Sequence, residues 1–247
     1  MPKSITIFGF HAIQAQLDSN PQDLIKVYAL DKRSDKRLNN LLNQVNQLGI
    51  RLNYQSKQQL DKLTKAQSHQ GIVAEILLPT LPNHNALLEF VLSLKKSALI
   101  LILDSIQDPR NLGACLRSAN AAGVDCVVVN KDGSAPINAL VHKTAAGALN
   151  QLKIFSVTNL ARSIKALQDN NIWVVGLDGS TQQSLYSVDL TSPIAIVMGA
   201  EGNGLRVLTK KTCDQLALIP MQGNVESLNV SVATGIALFE ANRQRNY

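Results

Sequence analysis

Aromatic side chains are scarce in this 247-residue chain: Phe, Trp and Tyr supply 4% of it, although 45% of its residues are hydrophobic. The core must therefore be assembled from Val, Ile, Leu and Ala, and the length suffices for one large α/β domain or two smaller ones. No apolar run approaches the roughly eighteen residues of a membrane-spanning helix. The opening MPKSITIFGF lacks the apolar stretch and small-residue cleavage site of a signal peptide. Cysteine is rare too. Cys115, Cys126 and Cys213 are odd in number, scattered and never in a CxxC pair. Neither disulfides nor a cysteine metal site is expected, and a reducing cytoplasm is the simplest compartment. The histidines His11, His69, His84 and His142 show no metal-ligand spacing, so no metal is expected. Walker A, GxSxG and HExxH patterns are missing. The first strand is not followed by a GxGxxG turn, which disfavours a nucleotide-dependent oxidoreductase.

Positive charge, in contrast, is in surplus and unevenly spread. The chain carries a net charge of +6, and residues 1–96 alone hold twelve Lys and Arg against seven Asp and Glu. A basic front segment suits phosphate attraction. Ordinary solubility accounts for it equally well.

The periodicity divides the chain. Up to residue 78, candidate strands at 5–8, 25–30, 50–54 and 72–78 alternate with helical patterns at 12–17, 38–48 and 57–63. Leu38, Leu41, Leu42, Val45 and Leu48 recur at helical spacing, and Gly49 supplies the stop. This predicts a small α/β domain over 1–78. Prolines 79 and 82 with polar neighbours mark 79–96 as a linker, continued by a helix at 86–94. From 97 to 247 a second domain is expected. Its strands fall at 98–103, 126–129, 172–175, 194–198 and 216–219, and its helices at 112–122, 160–168, 205–212 and 228–243. Apolar strands alternating with helices predict a parallel sheet covered on both faces.

Three segments of the second domain follow the carboxyl ends of predicted strands, where open α/β sheets place their ligand crevices. The first runs from Asp104 to Arg117 and turns through Asp108-Pro109. Asn111 reads as the helix N-cap, Gly113 as a point of close backbone approach. Arg117 either points back toward the crevice or is a solvated helix residue. The second, Ile194 to Leu205, packs three glycines into six residues after a buried strand, a loop whose amides can face a ligand. Glu201 within it is either a turn residue or a carboxylate holding a substrate or neighbouring side chain. In the third, from Leu218 to Gly235, Ser227 and Asn229 are caps or site residues. Ser231, Ala233, Thr234, Gly235 and Ala237 make the following helix thin, which suits close chain packing or a subunit contact. In the front domain, His69-Gln70-Gly71 is structural or RNA-facing, and the run from Asp31 to Arg37 is a phosphate contact or a solvated loop.

Asn111-Leu-Gly-Ala-Cys-Leu-Arg117, Val197-Met-Gly-Ala-Glu-Gly-Asn-Gly204 and the run from Ile219-Pro-Met to Ser227-Leu-Asn-Val-Ser-Val-Ala resemble, in this order, the three motifs of the SpoU (TrmH) family of RNA ribose methyltransferases. Gly9-Phe-His-Ala-Ile and His69-Gln-Gly-Ile resemble the front domains of members acting on large-subunit rRNA, so the likeness covers nearly the whole chain. The resemblance implies transfer of a methyl group from S-adenosylmethionine to the ribose 2′-hydroxyl of a guanosine in 23S rRNA. It also implies a trefoil knot in the C-terminal domain, an L30e-like RNA-binding front domain and a homodimer formed through the knotted region. Carried over by position, Asn111, Arg117, Glu201, Ser227 and Asn229 match the catalytic residues. Gly199, Ile219 and Leu228 match the cofactor-binding backbone, with Met198 and Met221 close by. Asn224 and Glu226 fall at variable loop positions. Since a guanidinium stays protonated to about pH 12, Arg117 is expected to orient the hydroxyl and the adjacent phosphate. The alternatives are a tRNA substrate within the same family and a non-catalytic RNA-binding or ribosome-assembly factor that keeps the fold.

Overall fold

A computed structural model describes residues 4–31, 35–77 and 80–246. Its contacts divide the chain into two units, one of residues 1–80 with 137–151 and the other of 81–136 with 152–247. The first takes a segment from the second half of the chain, so the units are not the contiguous stretches that periodicity suggests.

In the first unit, β1 (Ser4–Phe8), β2 (Leu24–Leu30), β3 (Arg51–Gln55) and β4 (Ile72–Leu77) form a sheet of order β1-β4-β2-β3. β4 runs antiparallel to β1 and β2, while β2 and β3 are parallel. Helices α1 (Phe10–Ser19), α2 (Lys36–Gln47) and α3 (Lys57–Leu63) connect the strands. Local chemistry sets their ends. Asp35 caps α2 by accepting from the Leu38 N–H at 2.9 Å, Gly49 follows it at φ +67°, and Ser56 and Gln59 form a capping box on α3. The apolar face of α2, with Leu38, Leu41 and Val45, packs on Ile7, Val27 and Ile76. His69-Gln70-Gly71 is a structural turn: the His69 ring accepts the Gly71 N–H at 3.0 Å, and the Gln70 amide oxygen accepts that of Phe10 at 3.1 Å. Of the run from Asp31 to Arg37, residues 32–34 lie outside the described residues.

A short helix, α6 (Ala139–Ala145), also belongs to this unit. Gly147, at φ +95°, follows it and leaves no room for a side chain: a Cβ there would sit 2.9 Å from that of Ala15.

The second unit is one parallel sheet of six strands in the order β10-β8-β9-β5-β6-β7. These are β5 (Leu99–Asp104), β6 (Cys126–Asn130), β7 (Lys153–Val157), β8 (Trp173–Leu177), β9 (Ile194–Gly199) and β10 (Gln215–Ala217). Every residue of β5 is buried, as continuous Leu and Ile in a sheet covered on both faces requires. Each such side chain contributes about 2 kcal/mol. Helices α4 (His84–Ser93), α5 (Pro109–Ala121), α7 (Leu160–Gln168), α8 (Val207–Thr212) and α9 (Val230–Asn246) complete the unit.

Several expected boundaries shift. The stretch expected as linker is ordered from residue 81: α4 buries Leu87 and Val91 in the core, and His84 Nδ1 lies 2.9 Å from Ser163 Oγ. Pro79 lies outside the described residues. Strand β7 has no counterpart among the expected strands. Helix α5 begins at Pro109 with Asp108 as its cap, whose carboxylate accepts the Arg110 N–H at 2.6 Å. Asn111 is therefore not a cap. Proline at the first helical position fixes that start, because it needs no donor there.

Helix α9 packs along α5, where Cys115 Sγ and Thr234 Oγ1 are 3.4 Å apart and Ser118 Oγ would be 3.7 Å from a Cβ on Gly235. Small residues permit this approach. At the far end of α9, the Arg245 guanidinium donates to four carbonyls, those of Leu190, Ser97, Ala98 and Ser192, at 2.5–3.1 Å.

Candidate active site

Three loops leave the carboxyl ends of parallel strands of the second unit and line a cleft of about 1000 Å³. The deepest constraint is the turn after β9. The Ala200 N–H donates to the Gly204 carbonyl at 3.1 Å and the reverse bond is 2.9 Å, so residues 200–204 close on themselves. A Cβ on Gly199 would lie 2.1 Å from the Gly204 carbonyl carbon, which excludes any side chain there. Gly202 and Gly204 adopt φ of +77° and +61°. The glycine spacing is thus a geometric requirement of the loop.

Asp104, at the end of β5 and fully buried, holds this loop from behind. One carboxylate oxygen accepts the Arg206 Nε–H at 2.6 Å and the other accepts the Arg206 main-chain N–H at 3.0 Å. The buried charge is thereby paired and hydrogen-bonded, as burial demands. No local pattern around Asp104 marks this role, because its partner Arg206 lies 102 residues away.

Asn229 joins the three motif segments. Its Oδ1 accepts the N–H of Ser231 at 2.9 Å and the hydroxyl at 2.6 Å, which caps α9. Its Nδ2 donates to Asn111 Oδ1 at 3.0 Å and, through a short bond, to Glu201 Oε1. Two acceptances on the oxygen and two donations from the nitrogen fix the orientation of the amide. Because Asp108 caps α5, the Asn111 side chain is free to take part. One amide therefore bridges a helix start, a glycine loop and a second helix start.

The cleft wall includes Met198, Gly199, Ile219, Met221 and Leu228, together with Glu201, Ser227 and Asn229. Ser227 is exposed to the cleft and makes no hydrogen bond among the described residues. Asn111 reaches the site through Asn229. Arg117 does not line the cleft: it lies exposed on α5, six residues and about 9 Å along the axis from Asn111, with no ion pair among the described residues. Asn224 lies outside the lining, and Glu226 is part of it.

Asp178, Ser180 and Lys210 also line the cleft, although none of them falls in the three motif segments. Asp178-Gly-Ser180 follows the apolar run of β8, so the position was legible, but it carries no glycine cluster to mark it. Lys210 comes from α8, more than thirty residues on, and only the fold brings the two together. The cysteine thiols are inert here: burial pushes Cys115 up to about 11 despite its bond to Thr234, and burial with nearby Asp214 takes Cys213 to about 12. Among the described residues, no three His, Cys, Asp or Glu side chains are grouped to hold a metal ion, and no helix is long and apolar enough to cross a membrane.

Comparison with known proteins gives a consistent picture. The family model of the SpoU rRNA Methylase family matches residues 98–239, and that for RNA 2′-O ribose methyltransferase substrate binding matches residues 6–81. The 23S rRNA (guanosine-2′-O-)-methyltransferase RlmB of Pasteurella multocida is 50% identical over 98% of this chain and 99% of its own length. Its namesake from Haemophilus influenzae is 48% identical over 97% of each chain. Among solved structures, the SpoU methyltransferase AviRb of Streptomyces viridochromogenes in complex with AdoMet superposes with a TM-score of 0.84 at 23% identity. That match covers 98% of this chain and 90% of the other, and it speaks to the fold alone.

Proposed function

This chain belongs to the SpoU rRNA methylase family, and from that premise we propose that it transfers a methyl group from S-adenosylmethionine to the ribose 2′-hydroxyl of a guanosine in 23S rRNA. The observation that carries the reading is the Asn229 amide, which gathers Asn111 and Glu201 at a cleft of nucleoside-cofactor size. Relatives sharing about half of their residues over nearly the full length bear the name of this activity.

The residues present fit the cofactor. Met198, Ile219 and Leu228 offer an apolar bed, and the loop that a Cβ at Gly199 would disrupt presents bare backbone. The bound cofactor supplies a methyl group activated by a sulfonium charge. The chain's own part is to align the hydroxyl with that methyl group and to let the hydroxyl proton pass to water as the new O–C bond forms. Asn111 and Ser227 position the target nucleotide by neutral hydrogen bonds, while Asn229, whose amide is fully engaged within the protein, holds Asn111 and the Glu201 carboxylate in place. Arg117, exposed on α5 outside the cleft lining and without an ion pair among the described residues, reaches the phosphate beside the target nucleotide and through it orients the hydroxyl. An Arg117→Lys variant is expected to lose most turnover, since a point charge cannot make the same planar, bidentate contact.

Further assignments complete the reading. Residues 1–78 form the RNA-binding domain, of L30e-like type, supported by the basic surplus and by the substrate-binding match. The catalytic domain is the second unit, 81–136 with 152–247, and its C-terminal chain is knotted. Support comes from the passage beyond β10, where the Leu218 N–H donates to Gln183 and the Leu185 N–H to Leu218, both at 2.8 Å, before α9 returns to α5. A second copy of the chain covers α9, whose Val232 and Phe239 stand half exposed. The enzyme works in the cytoplasm, where its substrate is made.

Incubating the purified protein with 23S rRNA and, in parallel, with tRNA and a tritium-labelled methyl donor tests the proposal. Label on a single guanosine ribose is expected. Label on tRNA alone would redirect the assignment to a tRNA substrate, and RNA binding without any transfer would leave an assembly factor.

A further inference from the structure

Part of the cleft wall comes from outside all three motifs. Asp178 leaves the carboxyl end of β8, and one of its oxygens accepts the Ser180 N–H at 2.8 Å and the Ser180 hydroxyl at 2.5 Å. Its other oxygen faces Lys210 Nζ at 2.9 Å, and the same ammonium donates to Ser180 Oγ at 2.6 Å. The Asp178 side chain is 13% exposed and that of Lys210 33%, so the pair is partly withdrawn from water yet still opens on the cleft. Burial alone would raise the carboxyl pKa, but the bonds from Ser180 and Lys210 outweigh it and keep Asp178 ionised.

Counting valences shows what is left over. A carboxylate offers about four acceptor sites and an ammonium three donors. Three of the former and two of the latter are used within the protein. One acceptor on Asp178 Oδ2 and one donor on Lys210 Nζ remain, side by side. The pair is neutral in sum, so an anionic group would gain from Lys210 what it loses to Asp178. A neutral vicinal diol matches it, with one hydroxyl donating to the carboxylate and the other accepting from the ammonium. Carboxylates placed just after parallel strands take ribose hydroxyls in this way in other nucleotide folds.

We propose that Asp178 and Lys210 together bind the ribose diol of the donor's adenosine, with Ser180 holding both in register. This rests on the reading of the cleft as the donor site. Isothermal titration with S-adenosylhomocysteine and its 2′,3′-dideoxy analogue tests it on the full-length protein, on Asp178→Asn and on Lys210→Met. The unaltered protein should prefer the hydroxylated ligand by about tenfold or more, because a site made to pair hydroxyls rejects a ligand without them. In each variant that preference should shrink to about threefold or less, with affinity for the dideoxy analogue unchanged. Variants that keep the full preference, or that lose affinity for both ligands equally, would overturn the proposal and leave the pair a purely structural brace. Failure of the unaltered protein to bind either ligand would instead overturn the donor reading, and this inference with it.

Discussion

The two sheets of this molecule solve opposite problems. β5 in the second unit buries all of its residues, whereas β3, at the edge of the first, buries none. A sheet covered on both faces has only strand ends to offer, so its cleft is lined mainly by the loops after β8, β9 and β10. A mixed sheet with an open edge offers a surface instead, suited to a long, charged partner. Precision of placement and breadth of contact are thus divided between two kinds of sheet.

The sharpest way to break this division is at Asn229. Asn229→Ala removes the amide that joins three loops, and methyl transfer should fall at least about a hundredfold, the usual cost of an ångström-scale misplacement. Binding of 23S rRNA should hardly change, as titration of labelled RNA would report. Equal losses in both would show that the two functions are not divided.

The units should also differ in their response to acid. His142 lies in the first unit, and burial pushes its pKa from 6.5 down to about 4. The folded state keeps it neutral while the unfolded chain takes up a proton. Its contribution is therefore complete above pH 6.5 and is lost as the pH falls toward 4, at a cost of about 3 kcal/mol. Urea unfolding across that range should show the loss, and His142→Leu should flatten it. A smaller effect is expected at Arg245. Replacing it with Met strands four carbonyls and should cost about 2 kcal/mol, read as a lower midpoint in thermal unfolding. Smallest in stability is a double change on the open edge, Arg51→Glu with Tyr54→Ala. Both residues are exposed, Tyr54 by 59%, so unfolding should move by less than about 0.5 kcal/mol. RNA affinity should fall severalfold, more at low salt than at high.

Much of this arrangement was legible from local pattern. β5 and β9 announce themselves as unbroken apolar runs, and the glycines from 199 to 204 mark the loop that a Cβ would destroy. Glu201, Ser227 and Asn229 gain a role only from the resemblance to the family motifs, because their loops alone leave each of them open to a structural reading. β7 escaped because Lys153 and Ser156 interrupt a run of only five residues. Asn111 was misread as a cap since it and Asp108 are both capping types three residues apart. Pro109 decides between them, and the released side chain is what Asn229 binds. The placement of residues 137–151 with the front unit, the Asp104–Arg206 clamp and the Asp178–Lys210 pair join positions far apart in sequence. Such partners leave no periodic trace in either segment.

The central claim, that this cleft methylates one guanosine ribose, is tested most directly by mapping 2′-O-methyl marks on ribosomal RNA from cells with and without the gene. The account predicts that a single guanosine in 23S rRNA loses its mark, and that the unaltered gene restores it while Asn229→Ala does not. An unchanged set of marks in cells lacking the gene would contradict it.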